Sequence, residues 1–371
     1  MLEAEKKSKN RIKILFYRWC YILIFEGFPL NIGWELTLAC NLRCSHCASS
    51  AGLPRPNELT TKEALKLCDQ FPNLLVQQVD FTGGEPLLRK DWMDIALHLH
   101  DLGIIATLLT NGLVLDCDIV SLLKEAGISN IGMSLDGLEQ THDHIRKCKG
   151  SFKSVIRDIK ILQKANLPFI IITTVNALNV HELPAILQLL RSLKVRCWRI
   201  QPMIPTGRVK NFEELGIDAN WIMELVSFIQ YWKPKAKENE TRIICGDGLH
   251  YIDENLVNKP WRGCPAGIIT CGIKSDGKVI GCLTMPDELV EGDLRKNDLW
   301  DIWYHPDSFA YTRRFSPDQL GSNCNSCSKA KECLGGCSIC SYAVEGRFHN
   351  NPYCFYRNSQ TTHLATGNGV L

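Results

Sequence analysis

The sequence predicts an α/β protein: a parallel sheet covered by helices, with a smaller cysteine-rich region after it. Three observations carry this. Short apolar runs alternate with helix-period segments, giving six strand–helix units between residue 34 and about residue 202, and continuous apolar strands between helices mean a sheet buried on both faces. Polar and glycine-containing motifs recur at the C-terminal ends of those runs, where parallel α/β barrels place their chemistry. From Cys245 onward the chain becomes a field of closely spaced cysteines and turns.

The elements follow in order. Trp34-Glu-Leu-Thr-Leu-Ala39 alternates as a strand does. It leads into Cys40-Asn-Leu-Arg-Cys44-Ser-His-Cys47, three cysteines on one short loop. Their thiolates can converge on one metal centre, one ligand short of a closed four-ligand site. His46 is badly placed as a fourth zinc ligand, because its neighbour already points at the metal. An Fe–S cube held by three cysteines leaves one iron open to a non-protein ligand. A polar stretch with Pro54 and Pro56 leads to a helix over 59–67, which Thr60 or Thr61 can cap with Glu63 in its first turn. Residues 76–82 read as the second strand, ending in Gly83-Gly84-Glu85-Pro86. Two glycines let backbone approach a ligand closely, and the proline fixes the exit. Helices over 92–102, 118–126, 151–165 and 181–193 alternate with strands over 104–109, 129–134, 168–174 and 197–202. These strands end at Thr110-Asn111-Gly112, Leu135-Asp136-Gly137, Val175-Asn176 and Gln201-Pro202. A helix over 220–232 and a linker around Pro234 form a bridge.

The cysteine loop followed by Gly-Gly-Glu-Pro resembles the cofactor site of radical S-adenosylmethionine (SAM) enzymes, over residues 34 to about 210. The resemblance implies an incomplete (β/α)6 barrel, open on one side. It also implies a [4Fe–4S] cluster on Cys40, Cys44 and Cys47, whose open iron chelates the amino and carboxylate groups of SAM. Gly83, Gly84, Glu85 and Pro86 would hold the methionine ammonium, which needs acceptors in a dry site. Ser134-Leu-Asp136-Gly137 followed by Thr141-His142-Asp143-His-Ile-Arg146 resembles a run common in this group. Arg146 would meet the SAM carboxylate with its planar fork. Ser134 and Asp136 would bond the carboxylate or ribose, Asn176 and Gln201 the ribose or adenine, and His46 would add a cofactor contact. Taken singly, each of these polar residues reads as a strand-end cap or turn former, and His142 and Asp143 as structural.

In the second cysteine field, Cys264 is followed by twelve residues, Gly277, four residues and Cys282. Asp276-Gly277 marks a hairpin turn between them. Then come Cys324-x2-Cys327-x5-Cys333-x3-Cys337 and, after a gap, Cys354. Without the barrel this would suggest zinc ribbons. The spacing resembles the SPASM extension of radical SAM enzymes, over residues 264 to 354. That resemblance implies a small α+β domain with two auxiliary [4Fe–4S] clusters, one on Cys264, Cys282 and Cys337 and one on Cys324, Cys327, Cys333 and Cys354, for three clusters in all. Cys245, Cys271 or an open iron would complete the first. Cys20, Cys68, Cys117, Cys148, Cys197 and Cys340 read as bystanders, since free cysteine is a common core residue. The divisions expected are 1–30 as an N-terminal extension, 31–210 as the barrel, 211–243 as the helical bridge and 244–371 as the SPASM domain.

Composition narrows the function. The chain has 371 residues, 45% hydrophobic and 22% charged, with a net charge of +2. That balance gives no support to a phosphate-backbone partner, so no nucleic acid is expected. Eighteen cysteines in tight clusters argue for metal in a reducing compartment. Lys6 to Lys13 followed by Ile14 to Phe25 is basic then apolar, as in a signal peptide. Arg18 interrupts the run, no small-residue cleavage site follows, and the run is shorter than the ~20 residues of a membrane span. The expectation is a cytoplasmic protein without a transmembrane segment, its N-terminal stretch packed as an amphipathic helix.

The resemblance implies that the reduced cluster splits SAM to methionine and a 5′-deoxyadenosyl radical, which takes hydrogen from an unactivated carbon. An external flavodoxin- or ferredoxin-like donor would supply the electron. Two further clusters favour net oxidation or cross-linking. The first expectation is a maturase of a ribosomally made peptide or protein substrate; the alternatives are small-molecule or cofactor biosynthesis, and a non-catalytic Fe–S protein. Leu283 follows Cys282 where anaerobic sulfatase maturases carry an aspartate, so formylglycine formation is disfavoured. The residues before the barrel are too few for a leader-binding domain, so a peptide-presenting partner is a further expectation. No catalytic acid or base can be named from the sequence.

Overall fold

The computed structural model describes residues 27–211, 213–216, 221–235, 240–246, 249, 263–354, 356 and 357. The basic–apolar N-terminal stretch lies outside the described residues. Six strands follow one another in chain order and pair in parallel: β1 (Asn31–Thr37), β2 (Gln78–Gly83), β3 (Ile105–Thr110), β4 (Ile128–Ser134), β5 (Phe169–Val175) and β6 (Cys197–Pro202). The helices between them are α1 (Thr61–Cys68), α2 (Trp92–Asp101), α3 (Cys117–Glu125), α4 (Glu139–Arg146), α5 (Ser151–Ala165) and α6 (Leu183–Ser192). Thr60 caps α1, its side chain accepting from Glu63 N while the Glu63 carboxylate accepts from Thr60 N. Alternating parallel strands with helices is the arrangement that buries both faces of such a sheet.

Two pairings extend this sheet beyond what the local pattern showed. After α7 (Trp221–Trp232), β7 (Arg242–Cys245) lies parallel on β6, where the sequence read as a linker. At the other side, β8 (Thr270–Ile273) lies parallel on β1, with Trp34 opposite Ile273. The chain then turns at Gly277, whose φ is +85°, into antiparallel β9 (Lys278–Ile280) and β10 (Gly292–Asp293). The order is β10-β9-β8-β1-β2-β3-β4-β5-β6-β7. β10 and β7 are its two ends, so the barrel is partial, as the resemblance implied. The small cysteine-rich α+β region continues directly from the barrel's first strand.

Trp34, fully buried on β1, stands edge-on to Phe71 and Phe81 at ring separations of 6.1 and 6.2 Å. Such pairs add about 0.5–1.5 kcal/mol beyond the area they bury. Among the described residues no helix is long and apolar enough to cross a membrane. Trp34→Ala is expected to lower the free energy of unfolding by about 3–5 kcal/mol in denaturant titration. Leu53→Ala, at a 79% exposed position, should change it by less than about 0.5 kcal/mol.

Candidate active site

The three-cysteine loop leaves the C-terminal end of β1 and is tied down from several directions. Gly84 N and Glu85 N donate to the Thr37 and Ala39 carbonyls, both at 2.8 Å. A Cβ on Gly84 would lie 2.0 Å from the Ala39 oxygen, and one on Gly83 2.3 Å from the Thr37 oxygen. The Gly-Gly pair is therefore required by chain-to-chain approach at the ends of β1 and β2, which brings Glu85 beside the cysteine loop. From beyond β6, Arg208 donates through Nε to the Cys44 carbonyl at 2.9 Å and through Nη1 to that of Ala51 at 2.7 Å. Ser45 donates from both N and Oγ to the Ile145 carbonyl. Asn111 Nδ2 lies 3.9 Å from Cys40 Sγ, and Arg146 Nη1 3.8 Å from Cys44 Sγ. Burial raises the Cys40 and Cys44 thiols; Arg146 offsets this in part at Cys44.

Two buried carboxylates organise the floor of the site. Glu85 accepts from Thr110 Oγ1 and Asn111 N, both at 2.9 Å, and from Leu87 N. Burial still pushes it up to about 7. Asp136 behaves in the opposite way. Its Oδ1 accepts from Thr174 N at 2.9 Å, and its Oδ2 pairs with Arg146 Nη2 at 2.5 Å and His46 Nε2 at 3.2 Å. Burial alone would raise it; the Arg146 guanidinium and the His46 ring outweigh burial and hold the carboxyl well below the usual range. The Asp136 N–H donates to His142 Nδ1 at 3.0 Å. Burial and Arg146 push His142 down to about 4.

The other sequence-expected residues fall in different places. Ser134 ends β4 and is half-buried. Gln201 donates to Thr174 Oγ1 at 3.3 Å. Asn176 is fully buried, and its Oδ1 accepts from Leu178 N at 2.9 Å, closing a turn. Pro86 starts the short helical turn after Glu85. Asn111, which also approaches the cysteine loop, was visible in the sequence only in a strand-end motif, and Arg208, beyond β6, carried no local signal.

The C-terminal cysteines form two groups. Cys324, Cys327, Cys333 and Cys354 line one cavity together with Asn351 and Arg357. Burial first, then the neighbouring Cys354 and Cys324, pushes Cys333 up to about 12. Cys264 lies close enough to Cys337 for their charges to interact, and burial with that neighbour pushes it up to about 11. The half-buried Tyr311 lies near enough to Cys264, Cys282 and Cys271 for charge on them to reach its hydroxyl, and a Cβ on Gly281 would lie 2.0 Å from that oxygen. Cys245 is placed on β7 at the opposite edge of the sheet, 3.7 Å from Lys233 Nζ. The Cys271 thiol contacts the Gly272 and Ile280 carbonyls.

Among the described residues no three His, Cys, Asp or Glu side chains are arranged to hold a single metal ion. Four cysteines spread around one cavity instead suit a multi-iron cluster, where each iron takes its own thiolate. At the barrel mouth, His46 Nδ1 and Arg146 Nε are buried without hydrogen-bond partners beside the cysteine loop. Unsatisfied buried polar atoms of this kind fit a site built for a polar ligand.

A cavity of about 330 Å³ opens between the two cysteine regions. One wall is Ala48–Ser50, directly after Cys47, and the other is Leu283–Glu288, directly after Cys282. Arg55, Lys274 and Tyr342 also line it.

Cys327→Ser, reconstituted anaerobically, is expected to lose up to about four iron atoms per chain relative to wild type, by iron analysis. His142 is held neutral in the fold, facing Arg146, Asp136, Asp143 and His46. Its stabilising contribution is complete above the unfolded pKa near 6.5 and is lost as pH falls towards about 4. Denaturation midpoints should therefore fall from pH 6.5 to 4, and less steeply in His142→Gln.

Comparison with known proteins agrees with this geometry. The Radical SAM superfamily signature matches residues 34–190, and that of the SPASM iron-sulfur cluster-binding domain matches residues 264–328. An AdoMet-dependent heme synthase of Methanosarcina barkeri is 32% identical over 354 residues, covering 91% of this chain and 99% of its own. A mycofactocin maturase of Mycolicibacterium smegmatis is 28% identical over 326 residues, covering 85% of this chain and 79% of its own. The crystal structure of SuiB from Streptococcus suis bound to S-adenosylmethionine shares the fold, with a TM-score of 0.72 at 18% identity over 89% of this chain and 78% of SuiB. The chain belongs to the radical SAM superfamily and carries a SPASM iron–sulfur domain.

Proposed function

We propose that this radical SAM enzyme serves cofactor biosynthesis, forming heme from an iron tetrapyrrole precursor: a carboxyethyl side chain gives one hydrogen atom to the deoxyadenosyl radical and one electron to an acceptor, and its carboxyl carbon leaves as carbon dioxide. The observation that carries this reading is the heme synthase likeness, which runs the length of both chains. It favours the small-molecule alternative over the peptide maturation that the sequence first suggested. Peptide maturation is the second reading, supported by the mycofactocin maturase likeness and by SuiB, whose structure has also been determined with its precursor peptide.

In this proposal Cys40, Cys44 and Cys47 hold the SAM-binding cluster, and the two C-terminal cysteine groups hold the auxiliary ones. When bound, the clusters and SAM supply a 5′-deoxyadenosyl radical and an acceptor for the electron that the substrate gives up. The chain's own residues do the rest. Glu85 offers carboxylate oxygens to the SAM ammonium. Arg146 Nε, which lacks a partner, is a donor for its carboxylate, and His46 Nδ1 is a further polar atom free to contact SAM. Asp136 fixes both of those side chains: its Oδ2 is ion-paired with Arg146 and His46, and its Oδ1 accepts from Thr174 N. Ser134 and Gln201 face the remainder of SAM. The cavity between Ala48–Ser50 and Leu283–Glu288 seats the substrate between the SAM site and the first auxiliary site. The enzyme acts in the cytoplasm with a flavodoxin- or ferredoxin-like electron donor.

The test is anaerobic incubation of reconstituted enzyme with SAM, a reductant and ferric coproporphyrin, an iron tetrapyrrole with more carboxylate side chains than heme. Mass spectrometry should show conversion to heme, abolished in Cys40→Ala. Cleavage of SAM with the porphyrin untouched, alongside loss of two hydrogens from a peptide, would establish the second reading instead.

A further inference from the structure

The substrate cavity carries an imbalance of charge. Lys274, at the C-terminal end of β8, is 3% exposed, yet its ammonium is paired with Asp287, whose side chain is 71% exposed. A buried ammonium needs an anion close by. A carboxylate that is mostly in water is a weak one, because solvent screens it. Arg55, which shares Asp287 with Lys274, shows the same incompleteness. Its Nε and Nη2 are held by buried Glu35 at 2.6 and 3.2 Å, and Ser275, next to Lys274, donates to Glu35 from both N and Oγ. That leaves Arg55 Nη1 turned to Asp287 Oδ2 at 3.6 Å, beyond hydrogen-bond contact. Glu35 therefore fixes Arg55 and the Lys274–Ser275 corner from below while their remaining donors face the cavity. The other acidic group on the lining, Glu288, is exposed.

We propose that Lys274 and Arg55 form a carboxylate-binding subsite for the tetrapyrrole's acidic side chains, and that Asp287 occupies it until the substrate displaces it. This rests on the heme-precursor reading above and names the residues that orient that substrate. Asp287 sits on a short helical turn, Asp287–Leu289, and its side chain returns to water readily because most of it is already there. A substrate carboxylate entering with an apolar macrocycle excludes water, so its pairing with Lys274 is less screened than that of Asp287. Anchoring an acidic edge here places the macrocycle between the Cys47 and Cys282 loops, which form the cavity's two walls. No bond is made or broken at the subsite; it orients.

The experiment is equilibrium binding to the cluster-loaded enzyme, followed by the porphyrin absorption band, with ferric coproporphyrin and its tetramethyl ester as probes. Lys274→Gln should weaken the acid by tenfold or more and leave the ester unchanged. Asp287→Asn, at an exposed position that the fold tolerates, should tighten the acid severalfold because the competitor is gone. Equal weakening of acid and ester by Lys274→Gln would overturn the proposal, as would weaker acid binding in Asp287→Asn. Binding of an acidic peptide that depends on Lys274, with no porphyrin binding, would overturn the tetrapyrrole assignment. Binding needs no turnover, so acid binding with both expected variant effects but without heme formation would support the subsite while refuting the reaction.

Discussion

The rest of the site depends on one buried anion. Asp136 has no exposed surface, and a carboxylate in that position must collect donors or take up a proton. It collects them from three parts of the chain: His46 from the cysteine loop, Arg146 from α4 and the Thr174 amide from β5. That convergence pins the loop over the C-terminal ends of the strands. It also sets Arg146 within reach of the Cys44 sulfur, where its charge offsets part of the cost of burying a thiolate. Glu85, with hydroxyl and amide donors but no ion pair on its oxygens, is pushed up while Asp136 is pulled down. Two acidic groups thus differ in kind: Asp136 is a fixed ionic post, and Glu85, the proposed partner of the SAM ammonium, is held only by neutral donors.

A second constraint is the parallel pairing of β8 on β1. β1 leads into the loop of Cys40, Cys44 and Cys47, and the hairpin that begins with β8 leads into Cys282. One sheet register therefore fixes the separation between the two cysteine regions, and the cavity is the space between their loops. In the proposed reaction a substrate held there would meet both. The same register places Lys274 and Ser275 beside Glu35 of β1, so the charge pattern of the cavity is a product of strand pairing.

Much of this was legible in the sequence, and the reasons are local. The cysteine spacing, the Gly-Gly-Glu-Pro run and the Asp276-Gly277 turn each lie within a few residues, and the six strands showed their apolar runs. Pairings between distant segments left no such mark. β7 is a four-residue strand whose place is set by β6, and β8 reads as a hairpin arm until β1 is seen beside it. The Gly-Gly pair was read as making room for a ligand, whereas what a side chain would strike is the backbone of Thr37 and Ala39. Asn176 stood at a strand end, where a ligand contact and a turn look alike; its amide oxygen closes a turn. Arg146 was recognisable as a carboxylate partner, but the nearest carboxylate is the protein's own Asp136. The reading of substrate class was least legible, because spacing describes the cofactor and says little of what the cavity holds.

The most direct measurement is the fate of the abstracted hydrogen. Ferric coproporphyrin deuterated on its side-chain carbons would be turned over anaerobically, and the 5′-deoxyadenosine formed would be weighed by mass spectrometry. Deuterium in the deoxyadenosine is the expected result, because the radical must take its hydrogen from the bound tetrapyrrole. Deoxyadenosine free of deuterium, formed at the same rate with and without the porphyrin, would contradict the account.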